Sequence, residues 1–306
     1  MCRKITTKTE GPLTKVTINP FVDWGFKFLF AREETKDLLI GFLNLLLKPD
    51  DPLTDIVYLN PEVIPERPDM KRCVFDVLCR DAKGERYLIE MQKAKRTDMN
   101  NRLVYYLCRL IDQMGRHTAK WEYGMIKRVY GICLMDFIYE ENPQLRHDIM
   151  LRNQDGTAYS ELMNIITLQI PCLQAKSLSE CKEHYEILLS LLNQTSKKMK
   201  TKEELLKEIE ELNVSESSKE MFRSIVAAMN HDLTPTQLSE YLADMDEYEA
   251  TMGSIGTAWK DGLKEGREAG AHEKQLEIAK SMKEHEIDIP LIMECTGLSI
   301  EEIDAL

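Results

Sequence analysis

The segment from Cys73 to Gln92 constrains the fold more than any other part of the chain. Two arms rich in β-branched, aromatic and aliphatic residues, Cys73 to Arg80 and Glu85 to Gln92, flank Asp81-Ala-Lys-Gly84. A glycine there supplies the left-handed residue that a three-residue hairpin loop needs, so the segment reads as an antiparallel hairpin. Pairing Asp81 with Glu85 sets Arg80 opposite Arg86, Leu78 opposite Leu88, Asp76 opposite Glu90 and Val74 opposite Gln92. Side chains alternate faces with period two, so Cys73, Phe75, Val77, Cys79, Tyr87, Ile89 and Met91 are expected on one apolar face. Asp76, Glu90 and Gln92 then share the other. A register one residue off would destroy that sorting.

Carboxylates directly opposite on adjacent strands lie about 5 Å apart at Cβ and repel when both are ionised. A hard divalent cation with oxygen ligands is one compensation. The plainer alternative is a pair of solvated edge charges held by Lys71, Arg72 or Arg86, since carboxylates are mostly exposed. The sequence after the hairpin favours the first reading. Between Lys93 and Arg128 nine lysines and arginines face three acids, a basic region in a chain of net charge -12. Basic residues gathered on one surface contact phosphates. A helix expected from an Asp98 cap to about His117 would bury Leu103, Leu107, Leu110 and Met114 and present Arg102, Tyr106, Arg109 and Gln113 as a separate stripe.

The rest of the pattern implies an α/β protein. Asn19-Pro20 reads as a helix start, with Asp23 and Lys27 at i, i+4. Thr35 caps a second helix to about Lys48, and Asp55 to Asn60 reads as the first strand. Val129 to Met135 reads as a buried strand, followed by a hairpin around Asn153-Gln-Asp-Gly156 and a strand from Ile165 to Ile170. This order implies a mixed sheet flanked by helices. Residues 1–195 are read as that domain and 196–306 as a helical C-terminal region, the Lys- and Glu-rich stretch 196–215 being a solvated helix or linker. Ser254, Ala258, Gly262, Gly266 and Gly270 recur every fourth residue, a stripe suited either to self-association of helices or to a flexible linker. Asp288 to Leu306 reads as two short helices around Thr-Gly-Leu with a Ser299 cap; its acidic second helix suits packing rather than groove reading.

Eight scattered cysteines lack any CxxC or Cys/His spacing, which disfavours a zinc site and fits a reducing compartment. With no apolar leader at the N-terminus and no apolar run of spanning length, the expectation is a cytoplasmic protein without a membrane segment.

Asp23-Trp-Gly-Phe-Lys27-Phe-Leu-Phe30, Phe75-Asp76, Ile89-Glu90-Met91-Gln92, Arg102 to Tyr106 and the glycine-rich, Thr-Gly-Leu-Ser tail together resemble the recombination-promoting nuclease (Rpn) group, also described as PD-(D/E)XK nuclease family transposases. The resemblance spans most of the chain. It implies a restriction-endonuclease-like α/β fold, DNA cleavage with Mg²⁺ (or Mn²⁺), a bacterial origin, and a role in recombination, mobile elements or phage defence. Asp76 resembles the motif's metal-ligand aspartate, Glu90 its second acid, and Gln92 stands where the motif usually has lysine; Asp23 resembles the extra acid of the first helix. Phe75 replaces the motif's proline at a position that only shapes the strand. Glutamine can hydrogen-bond a water but cannot neutralise charge, so Lys71 or Lys27 is the candidate source of an ammonium. Arg102, Tyr106 and Arg109 would hold the DNA backbone. The competing reading is a nuclease-like protein that binds DNA or partners without efficient cleavage and forms a homo-oligomer through its C-terminal helices.

Overall fold

The computed structural model describes residues 12–63, 73–114, 122–139 and 143–306. Lys71 and Arg72, and residues 115–117 at the expected end of the basic helix, lie outside them. The chain divides into two compact units, Met1–Tyr248 and Glu249–Leu306. The first opens with β1 (Thr14–Thr17), α1 (Asp23–Phe30), α2 (Lys36–Leu47), β2 (Ile56–Tyr58), β3 (Glu62–Val63) and β4 (Cys73–Val74). It continues with β5 (Val77–Asp81), β6 (Arg86–Gln92), α3 (Met99–Met114), β7 (Val129–Met135), β8 (Arg146–Arg152) and β9 (Ala158–Gln169). Helices α4 (His184–Ser196), α5 (Lys202–Glu211) and α6 (Glu216–Met229) follow, then β10 (Asn230–Leu233) and the start of α7 (Pro235–Glu284).

The main sheet has six strands in the order β2-β5-β6-β7-β9-β8. β2, β5 and β6 are antiparallel, β6, β7 and β9 parallel, and β8 antiparallel to β9. A parallel step needs a crossover, and α3 supplies it between β6 and β7. The hairpin keeps the register read from its turn: Leu78 pairs with Leu88 and Arg80 with Arg86. Gly84 takes φ +83° in the loop, and the Asp81 amide donates to the Glu85 carbonyl at 3.1 Å.

Both faces of the sheet are buried. Val77, Cys79, Tyr87, Ile89, Met91, Ile132, Leu134, Ile166 and Leu168 pack with α1, α2, α4 and α6 in the larger core. Leu78, Leu88, Val129, Cys133 and Ile165 pack under Leu103, Leu107 and Leu110 of α3. A Cβ at Gly131 would stand 3.2 Å from both Leu107 methyls, so glycine lets α3 sit close to β7. Removing a buried leucine such as Leu107 costs about 2–5 kcal/mol.

Several sequence expectations shift. The first strand is β1, which pairs with β10 far along the chain, an association local pattern does not reveal. Helix α1 starts at Asp23 rather than at Pro20, because Asn19 Oδ1 accepts the Phe21 amide at 2.9 Å and holds a turn there. Cys73 and Phe75 fall on the α3 side rather than with Val77 and Cys79, for the reason given below. The stretch 196–215 is no linker: Thr201 and Glu204 form a capping box, and α5 buries Leu205 and Ile209 in the larger core beside Phe222, Ile225 and Val226 of α6. The two compact units meet at 248/249, with α5 and α6 inside the first.

In the second unit, α8 (Ile289–Thr296) and α9 (Ile300–Asp304) follow α7. Ala279, Ile292, Leu298 and Ile303 make its core, Gly297 takes φ +74° at the end of α8, and Ser299 accepts the Glu302 amide in a capping box. Ser254, Ala258, Gly262, Gly266 and Gly270 are exposed on α7. No helix among the described residues is long and apolar enough to cross a membrane.

Candidate active site

The ladder between β5 and β6 ends at Val77 and Ile89, one pair short of the two acids. Its hydrogen-bonded pairs alternate, and continuation would give the Met91 amide to the Phe75 carbonyl. Asp76 interrupts it: its own Oδ2 accepts the Met91 amide at 2.6 Å, while the Phe75 amide donates to the Pro61 carbonyl at 2.9 Å. The chain peels away, and Val74 pairs with Glu62 of β3 instead of Gln92. This break turns Phe75 onto the α3 side, where its ring meets Tyr106 edge-on at 4.9 Å. Asp76 is thus anchored on the neighbouring strand rather than carried as an ordinary strand side chain.

Glu90 points under α3 and is 2% exposed. Its Oε2 accepts Gln92 Nε2 at 3.0 Å and lies 3.6 Å from Arg102 Nη2. Its Oε1 is buried and has no hydrogen-bond partner. Arg102 donates through Nε to the Tyr106 hydroxyl at 2.6 Å and lies over that ring, fixing its fork toward Glu90.

On the other side, Asp76 lines an open cleft of about 710 Å³ together with Asp23, Trp24 and Lys27 of α1 and Gln237, Glu240 and Asp244 of α7. Lys27 Nζ meets Asp23 Oδ2 at 2.8 Å, the i, i+4 pair expected from sequence. Asp244 Oδ2 accepts the Trp24 amide at 2.7 Å, so an acid sits at the positive end of α1. A Cβ on Gly25 would fall 2.0 Å from the Asn19 carbonyl oxygen, so only glycine lets α1 pack against the segment leading into it.

Charge in this site is under strain. Burial, then the nearby Asp76, push the Glu90 carboxyl up to about 8, only partly offset by Arg102. The Asp76 carboxyl is raised as well, chiefly by burial and by Asp23, against the opposing pull of the Met91 amide, Lys27 and Arg102. Burial works against the charge of Lys27, yet Asp23, Asp76 and Asp244 leave its pKa raised, so its ammonium stays protonated.

The structure therefore groups Asp76, Glu90, Gln92 and Arg102, and sets Asp23 and Lys27 along the cleft that Asp76 lines. Two members of the stripe are buried. Tyr106 is 8% and Arg109 7% exposed, Arg109 pairing with Asp112 at 3.4 Å, so neither forms the outward DNA surface read from periodicity. At that spacing a stripe beside a helix's leucine face is covered when the sheet below is wide. Sequence reasoning missed Glu240 and Asp244, whose only local signal is their i, i+4 spacing on a long polar helix.

Among the described residues no group of three or more His, Cys, Asp or Glu is arranged to hold a metal ion. Two carboxylates that repel each other, Glu90 buried with an unpartnered oxygen and Asp76 partly buried at the cleft, are nonetheless a donor set for a hard divalent cation. A hairpin carrying these acids, in a mixed sheet clad by helices on both faces, is the restriction-endonuclease-like architecture. The model of the PD-(D/E)XK nuclease family transposases matches residues 20–250, and the chain belongs to that family. The match ends within two residues of the boundary of the first compact unit. Comparison with curated proteins and with solved structures gives no match.

Proposed function

We propose that the protein is a DNA endonuclease dependent on Mg²⁺ or Mn²⁺, acting in recombination, mobile elements or phage defence. The observation that carries this is the buried carboxyl of Glu90, whose Oε1 has no hydrogen-bond partner and whose pKa the Asp76 carboxylate helps to raise. Asp76 and Glu90 would hold the ion, and Asp23 bears on Asp76 through its charge. Such an ion would supply Lewis acidity for activating water and positive charge toward the phosphate. Gln92 positions Glu90 by donating to Oε2, leaving Oε1 for the ion. Lys27 supplies the positive charge that glutamine lacks, from α1 rather than from the hairpin. Trp24, Lys27 and Arg32 line the cleft and receive the DNA backbone.

The test is nicking of supercoiled plasmid in Mg²⁺ or Mn²⁺ by the wild type and Asp76→Ala, with circular dichroism to show that both fold. Loss of nicking in the variant is expected; cleavage at the wild-type rate overturns the assignment. A second reading, DNA binding without efficient cleavage, draws on Arg102, whose guanidinium already faces Glu90 at 3.6 Å and competes with an added cation. It predicts DNA retention without nicking across a panel of divalent metals.

A further inference from the structure

The turn joining α4 to α5 encloses a second cavity, of about 270 Å³, that the nuclease reading does not use. Its volume is below the roughly 300–1,000 Å³ of pockets that enclose drug-sized molecules, and suits a small ion or a single group of a larger ligand. Lys198, Lys200, Lys202, Thr195, Thr201 and Glu204 line it. Thr17 of β1 and Asn230 of β10, hydrogen-bonded to each other at 3.1 Å, complete the wall.

Three features of this cavity converge on an anion. Thr195 is 4% exposed, yet its hydroxyl has no hydrogen-bond partner, a costly condition for a polar atom so deeply placed. Helix α5 begins here: its Lys202 and Glu203 amides have no intrahelical acceptor, and the helix dipole favours negative charge at this end. The Thr201 hydroxyl accepts the Glu204 amide at 3.2 Å and also hydrogen-bonds the Glu204 carboxyl, so it caps the helix. Finally, neither Lys198 nor Lys202 forms an ion pair among the described residues, whereas Lys200 is already committed to Glu208 and to the Lys176 carbonyl. The one acid in the wall, Glu204, is turned back onto the Thr201 amide at 2.7 Å.

We propose that this cavity is an oxyanion site that takes a phosphate group, bound by the Lys198 and Lys202 ammoniums, the start of α5 and the Thr195 hydroxyl. It is separate from Asp76 and Glu90. It shares Thr17 and Asn230 with the β1–β10 ribbon, whose strands run directly into α1 and α7, the two helices that wall the catalytic cleft. The phosphate comes either from a free ion or from the terminal phosphate of a nucleic-acid strand.

The experiment uses the full chain carrying Asp76→Ala, in chelator, so that neither cleavage nor a metal contributes. Inorganic phosphate is titrated at constant ionic strength, with chloride as the control, by isothermal calorimetry and thermal shift. Saturable binding is expected, weakened about tenfold by Thr195→Val and about tenfold or more by Lys198→Ala with Lys202→Ala. The lysine variants are on the surface and should fold as the parent does; if Thr195→Val fails to fold, they decide alone. A parallel arm compares an oligonucleotide with and without a 5′-phosphate: preference for the phosphorylated strand, lost in the lysine variant, assigns the site to nucleic-acid ends. No preference, with phosphate still bound, assigns it to the free ion. Absence of saturable phosphate binding, or binding indifferent to all these variants, overturns the proposal whatever the outcome of the plasmid assay.

Discussion

Replacing Glu90 by glutamine should change stability little at low pH and raise it at high pH, where the wild type carries a buried charge. An acid whose pKa is higher in the folded than in the unfolded chain holds its proton more tightly when folded. With respect to Glu90 the fold is therefore most stable below pH 4.5, and it loses that advantage as the pH rises through about 8. Each pKa unit corresponds to about 1.4 kcal/mol, so moving a carboxyl from 4.5 to about 8 costs the fold about 5 kcal/mol once the group is fully ionised. For a unit of this size that corresponds to roughly 10–20 °C in melting temperature. The raised carboxyl of Asp76 adds to the wild-type slope in the same sense. A glutamine amide does not titrate, so between pH 5 and 9 in chelator Glu90→Gln should keep only the shallower slope that Asp76 contributes, while the wild type loses stability more steeply across that window. Adding Mg²⁺ at pH 8.5 should restore the wild type, by about 2.7 kcal/mol at a hundredfold excess over its dissociation constant, and leave the variant unmoved. Melting curves by circular dichroism measure both effects. Parallel pH profiles for the two proteins would refute the idea that Glu90 is the buried, uncompensated acid, and equal rescue by Mg²⁺ would refute its part in holding the ion.

Other consequences are sharper in sign than in size. Gln92→Lys places an ammonium beside Glu90, so it should lower that carboxyl's pKa, flatten the wild-type pH profile, and keep or raise nicking; an unchanged pH profile shows that residue 92 does not face Glu90. Gly25→Ala drives a methyl into the Asn19 carbonyl and should destabilise the fold by about 1–3 kcal/mol or more, read as a lower urea midpoint at constant slope. Phe75→Ala removes a fully buried ring that supports Tyr106 and through it Arg102; a loss of about 3–5 kcal/mol is expected, together with a higher Glu90 pKa as its cation loosens.

What the sequence determined by itself was local. The Gly84 turn and period-two alternation set the register of β5 against β6, because both depend on residues within a few positions of one another. The same holds for the Asp23–Lys27 pair, the Gly156 turn, the Gly297 and Ser299 caps, and the leucine face of α3. The mixed sheet followed from the order of these elements, and the resemblance carried by Phe75-Asp76 and Ile89-Glu90-Met91-Gln92 pointed to the family that the model match then showed. Tertiary structure decided what depends on partners distant in sequence. Period two alone would carry the hairpin through Asp76; the competing attraction of Pro61 and β3 breaks it there and turns the carboxylate onto the Met91 amide. Helical periodicity separates Arg102, Tyr106 and Arg109 from the leucines but does not tell how wide the sheet beneath α3 is, and that width buries the last two while leaving Arg102 at Glu90. Nor does any local signal bring Asp244 to the first turn of α1, more than two hundred residues away, or place two raised carboxyl pKa values side by side. Burial and charge proximity are sums over the whole fold, and so the candidate chemistry of this site became visible only once the chain had closed around it.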